Sequence, residues 1–83
     1  MSFYTVHKGK HYKAMISLNW WEQVASNDMI AAKLSDAGFT DVTVTGEGPM
    51  REAVGLWPHN DATAQVPSQV IAVREIETQV ASR

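Results

Sequence analysis

From His11 to Leu18 apolar and polar residues alternate. Tyr12, Ala14, Ile16 and Leu18 fall on one side, and Lys13, Met15 and Ser17 on the other. Successive side chains of an extended chain point to opposite faces, so a period of two predicts a strand with one buried side. The alternation ends at Asn19. Residues 20–25 read either as an extra helical turn or as a separate short helix. Ser26 or Asn27 then offers a side-chain oxygen to cap free backbone N–H groups, and Asp28 suits the positive end of a helix dipole. Ile30, Leu34 and Ala37 recur at i, i+4 and i+7, with Ala31 beside them, while Lys33, Ser35 and Asp36 lie toward water. Gly38 supplies a left-handed terminating residue, and Phe39 can fold back on the last turn. The spacing predicts a helix over 27–37.

Val42 and Val44 alternate with Thr43 and Thr45, which predicts a strand over 41–45. Gly46-Glu47-Gly48-Pro49 is a turn by composition. Residues 50–57 form the next strand and close a β-hairpin with 41–45. One face carries Met50, Val54 and Leu56 around Glu52, and the other carries Arg51, Ala53, Gly55 and Trp57. Trp57 is expected on the face away from the helix. Pro58-His59-Asn60-Asp61 breaks the pattern, and residues 62–66 make a short extended piece ended by Pro67-Ser68. The last strand covers 69–76, with Val70, Ala72 and Ile76 opposed to Ile71 and Val73; apolar residues on both faces point to a central or sandwiched position. The first dozen residues are aromatic and basic, with a turn at Gly9, and the polar tail 77–83 is expected to fray. The order is therefore β-α-β-β-β. An α+β fold results: one α-helix packed on a small, mainly antiparallel β-sheet. A right-handed crossover is expected if the strands flanking the helix are parallel within one sheet.

Length adjusts this picture. The chain has 83 residues, enough for one domain spanning 1–83 and for a thin core only. Small domains are often reinforced by disulfides, metals or oligomerisation. With no cysteine in the chain, oligomerisation is the reinforcement to expect. The formal charge is −2 with both signs interspersed, which disfavours nucleic acid as a partner. No apolar run approaches the ~20 residues that span a bilayer, and the N-terminus lacks the apolar segment of a secretory signal. The expected location is cytoplasmic, with no membrane partner.

Candidate chemistry is sparse. Trp20 and Trp21 are adjacent, so one can cover the core while the other faces outward. Trp57 lies beside Gly55 and Ala53, whose small side chains leave a shallow strip before the indole. Such a surface suits a sugar ring, a nucleobase or an apolar group of another subunit; the competing reading is that the indoles complete a small core. Lys8, Lys10 and Lys13, with Tyr4 and Tyr12, could touch phosphate and stack on a base, or simply guard a strand edge against aggregation. The edge reading is the stronger, given so few basic residues. Arg51 or Arg74 is available to pair with Glu47 or Glu52. His7 and His11 stand four apart, but Gly9 between them rules against the helix that would align two metal ligands. No metal or cofactor is expected. There is no nucleophile elbow, no cysteine and no complete dinucleotide loop. A catalytic site is expected only if one assembles between subunits.

The stretch from Ile30 to Trp57 resembles half of a SPOR domain. It carries a helix ending in Gly38-Phe39 that feeds a strand, then Arg-Glu-Ala-Val-Gly-Leu-Trp at 51–57. The resemblance implies binding of peptidoglycan glycan strands on a sheet face. It covers about a third of the chain and departs after Pro58, where a turn and strand replace the family's second helix. Tyr4 to Gly9 resembles the opening of a LysM repeat, which nothing later continues.

These readings lead to a non-catalytic interaction or assembly module, homo-oligomeric through a tryptophan-bearing sheet face or edge. The alternative is a domain that stacks a glycan or similar small ring on exposed tryptophan. The candidate residues are Trp57, Trp21, Trp20, Arg51 and Tyr12.

Overall fold

The computed structural model describes residues 3–19 and 22–77. They run β1 (Phe3–Val6), β2 (Lys10–Ser17), a 3-10 turn (Glu22–Val24), α1 (Asn27–Ala37), β3 (Thr40–Glu47), β4 (Met50–Trp57), β5 (Ala62–Gln65) and β6 (Val70–Ile76). The fold is α+β, one α-helix on a mainly antiparallel sheet. Trp20, Trp21 and residues 78–83 of the expected fraying tail lie outside the described residues.

Helix α1 occupies the span its apolar spacing predicts. Ser26 is the N-cap, its hydroxyl accepting from the Met29 N–H at 3.1 Å. At the other end Gly38 adopts φ 119°. The N–H groups of Gly38 and Phe39 donate to the carbonyls of Ser35 and Leu34, at 3.0 and 3.2 Å. This double return is a Schellman ending.

Four strands form one sheet in the order β3-β4-β2-β6, every neighbouring pair antiparallel. Two antiparallel steps make β2 and β3 parallel, with β4 inserted between them, so the helix crossover joins strands that are not neighbours. The β3–β4 hairpin pairs Glu47 with Met50 around a two-residue turn. Gly48 there has φ 65° and is followed by proline, the sign pattern of a type II′ turn.

Two expectations about strands are corrected. The first dozen residues contain a strand, and residues 62–65 are its partner: β1 and β5 form a separate two-stranded ribbon, with Phe3 opposite Gln65 and Val6 opposite Ala62. β6 lies at a sheet edge rather than in a central position. Its register shifts opposite Met15 and Ile16, which leaves Ile71 as an extra residue that is 60% exposed. The bulge also brings Val70 and Val73 to the same side, opposite Ile16 and Ala14. That is why the apolar residues of β6 refuse a simple alternation.

A bulge in β3 has a similar effect. Asp41 and Val42 together face Gly55, and Asp41 takes φ 52°. Val42 thereby turns toward the helix, where a Cβ on Gly55 would stand only 3.4 Å from both Val42 and Phe39. The helix-facing side of β4 is accordingly Arg51, Ala53, Gly55 and Trp57, and Met50, Val54 and Leu56 face the other way. Trp57 is on the helix side, contrary to expectation, because helix packing needs the small residues beneath it.

The core is thin. Ile16, Leu18 and Ala53 are buried together, with Ile30, Leu34, Val44 and Val70 half-buried around them. Among the described residues no large side chain is completely enclosed. Among them, too, no helix is long and apolar enough to cross a membrane.

Candidate functional site: an apolar cleft between the helix and the ribbon

Because α1 leans on β3 and β4, it covers only part of the inner sheet face. The β1–β5 ribbon lies over the same face on the β2–β6 side. Between them a cleft of about 430 Å³ remains open. Tyr4, Val6, Ala62 and Ala64 of the ribbon form one wall, and Leu34, Ala37 and Phe39 form the other. Ala14, Ala53 and Val73 are on the floor. The volume lies within the range of small-molecule pockets, and an apolar lining with few polar groups is their usual chemistry.

Trp57 stands at this cleft. Its indole sits so close to the helix terminus that a Cβ on Gly38 would meet its ring carbon Cζ3 at 2.9 Å. The rings of Phe39 and His59 approach edge-on, with centroids 5.0 and 5.1 Å away. Nε1 donates to the Asn60 carbonyl at 2.8 Å, which fixes the indole's orientation. The accessible strip expected in front of Trp57 does not form, since Ala53 and Gly55 are buried on the helix side.

Tyr12 also belongs to the cleft, but as part of its base rather than as an exposed stacking ring. It is 4% exposed and lies opposite Gly55. Its hydroxyl accepts the His7 backbone N–H at 2.6 Å, and Tyr4 meets its ring edge-on at 5.8 Å. Burial raises the Tyr4 hydroxyl above its ordinary pKa, and the Tyr12 and Glu75 charges act in the same direction.

Arg51 is elsewhere and otherwise engaged. It is 5% exposed, and its guanidinium links the hairpin turn to the entrance of the helix. Nε donates to the Gly48 carbonyl at 3.1 Å and Nη2 to the Gln23 carbonyl at 3.1 Å. Nη1 reaches both the Ala25 carbonyl and Asn27 Oδ1, each at 2.9 Å. The pairing with Glu47 or Glu52 expected from sequence is not what holds it; Glu52 instead sits 3.6 Å from Lys13. Arg51 is thus a structural tie, with its donors committed inside the chain. Nearby, Glu22 accepts from Gln69 Nε2 at 2.9 Å and from the Asn19 N–H at 2.8 Å. Those bonds, the one from Gln69 foremost, lower the pKa of its carboxyl.

The ribbon is fastened at its far end by Asp61. One carboxylate oxygen lies 3.0 Å from His7 Nδ1, and the other accepts the Lys8 N–H at 2.9 Å. The His7 and then the Lys8 hydrogen bonds hold the Asp61 carboxyl below its ordinary value of 3.8. A carboxyl with a depressed folded pKa adds stability above its unfolded value, and that contribution disappears as pH falls through the folded one. Acidification below about pH 4 is therefore expected to loosen this end of the ribbon. The Lys8 amide resonance, followed by NMR, should shift with Asp61 titration, and Asp61→Asn should abolish the shift. An unchanged profile in Asp61→Asn would refute the assignment.

The sequence candidates therefore divide. Trp57 and Tyr12 meet at one cleft, Arg51 is remote from it, and Trp20 and Trp21 lie outside the described residues. Tyr4, Lys33, Phe39 and Val66 were missed as cleft residues. The alternation of Tyr4 and Val6 with Phe3 and Thr5 was the signal that could have revealed the ribbon wall. Among the described residues no group of three or more His, Asp or Glu side chains is placed to hold a metal ion. After Pro58 the chain turns and enters β5, with no second helix among the described residues, as the departure from the SPOR pattern implied. No protein-family model, curated protein or solved structure matches the chain.

Proposed function

We propose that this chain is a small non-catalytic interaction module that receives an apolar ring or chain in the cleft between α1 and the β1–β5 ribbon. The carrying observation is the cleft itself: about 430 Å³ of space walled by apolar side chains over a core in which, among the described residues, no large side chain is completely enclosed. Filling it would remove apolar surface from water, at about 25 cal/mol per Å² before the costs of association. This form of the ring-binding reading places the ligand beside Trp57 and over Tyr12, rather than flat on a glycine-lined strip. The test is titration with the neutral fluorophore N-phenyl-1-naphthylamine. Saturable enhancement is expected, and it should be lost in Ala64→Phe, which fills the cleft from an exposed ribbon position. Absence of enhancement, or binding unaffected in a folded Ala64→Phe protein, would overturn the reading.

A second reading is self-assembly. Both α1 and the ribbon lie on the inner sheet face, so among the described residues no element covers the outer one. That face carries Met15, Val54 and Leu56, half-buried, and the exposed Met50, with the Lys13–Glu52 ion pair among them. An uncovered sheet face that mixes apolar side chains with an ion pair is a surface on which a second copy could dock. Sedimentation of the same samples separates the readings: a monomer at millimolar concentration removes the second and leaves the first intact.

A further inference from the structure

We infer that the occupant of the cleft is an amphipathic monocarboxylate, its apolar body over the sheet and its carboxylate at Lys33. The inference rests on the cleft reading and specifies its ligand class. Lys33 is the one charged side chain among the described residues that line the cleft; the remaining polar groups there belong to Gln65, the two tyrosines and the Trp57 indole, whose N–H is committed to the Asn60 carbonyl. It stands on α1 one residue before Leu34, exposed to solvent while its neighbour turns inward. A lysine in this position lays its methylene stem along apolar surface and keeps its ammonium at the water boundary. No ion pair joins it to a described carboxylate: the bridges within 4.0 Å are His7–Asp61 and Lys13–Glu52.

An apolar cavity with one unpaired cation at its mouth selects by charge as well as by size. A neutral apolar ligand leaves the ammonium unpaired, whereas a cationic amphipath places like charges together at the mouth. A dianionic head would bring more charge than one point cation can neutralise. A single carboxylate on an apolar chain satisfies both parts of the site. The preference is modest because the pair is near solvent, where such interactions reach about 1 kcal/mol. That corresponds to roughly fivefold in affinity.

Calorimetric titration should compare decanoate, decanol and decyltrimethylammonium on the intact chain, the two ionic amphiphiles below their micellar concentrations and decanol below its solubility limit. Decanoate is expected to bind about fivefold more tightly than decanol, with the margin narrowing at high salt. Lys33→Gln should bring the ratio of decanoate to decanol affinity to about one, and Lys33→Glu should transfer the preference to decyltrimethylammonium. Equal binding of decanoate and decanol to the native chain would overturn the carboxylate assignment and leave the apolar cleft standing. A decanoate preference that survives Lys33→Gln would overturn it too. Failure of all three ligands would remove both the assignment and the cleft reading.

Discussion

Replacing Arg51 with alanine is expected to destabilise the fold by about 3–5 kcal/mol, more than the loss of any apolar side chain from so thin a core. The guanidinium is buried and bonded to four oxygens: the carbonyls of Gln23, Ala25 and Gly48, and the Asn27 side chain. Truncation leaves these acceptors without their donors, and a buried polar group left unpaired costs about 1–3 kcal/mol. The same change removes the stem that packs between β4 and the chain entering α1. A domain of this length has a total stability of roughly 4–12 kcal/mol, so the variant should lose much of its margin. Urea unfolding followed by circular dichroism measures this directly. Arg51→Lys should recover only part of the loss, because a compact ammonium cannot spread its donors over the same four acceptors. Arg51→Met should behave more like alanine despite filling the space, which separates lost hydrogen bonds from lost packing. A change below about 1 kcal/mol in Arg51→Ala would show that the tie is not structural.

Trp57→Ala carries the second large effect. Deleting a core tryptophan costs about 3–5 kcal/mol; Trp57 is half-buried, so a loss of about 2–3 kcal/mol is expected. Its indole contacts the helix terminus at Gly38, the Phe39 ring, the His59 ring and the Asn60 carbonyl. Coupling to Gly38 gives a sharper readout than stability alone. Gly38→Ala should destabilise the native protein twice over, through its positive φ and through the collision with the indole. In a Trp57→Ala background the collision is gone and the backbone strain remains. The two losses should therefore sum to more than the double variant shows, by about 1 kcal/mol. Strict additivity would mean that the helix terminus and the indole are not in mutual contact.

Local signals in the sequence were sufficient for the helix and the hairpin. Ser26 and Gly38 bracket α1, and Gly48-Pro49 closes β3 onto β4, because caps and tight turns are decided within a few residues. The side to which β4 turns its small residues was not legible. Both faces of that strand hold apolar residues, and the alternation alone does not say which one the helix covers. The β3 and β6 bulges were hidden for a related reason: each inserts one residue and breaks the period by which a face is assigned. The cleft was the least legible feature. Trp57 and Tyr12 were singled out, but as surfaces for stacking. Their opposing wall comes from residues 3–6 and 62–65, which no local pattern connects.

That separation has a consequence for how the wall is made. The hydroxyls of Thr5 and Thr63, 2.7 Å apart, belong to residues 58 positions apart in the chain. Bringing such distant segments together carries a large closure entropy, repaid in this ribbon by four residue pairs. β3 and β4, by contrast, meet across a two-residue turn. The sheet can nucleate from that hairpin, while the ribbon must wait for nearly the whole chain to be in place. A guest that binds only the assembled cleft shifts the balance toward the closed ribbon by mass action. Occupancy of the cleft would thus be coupled to completion of the ribbon, one of two pairings, with that of β2 and β6, that join the most distant parts of the chain.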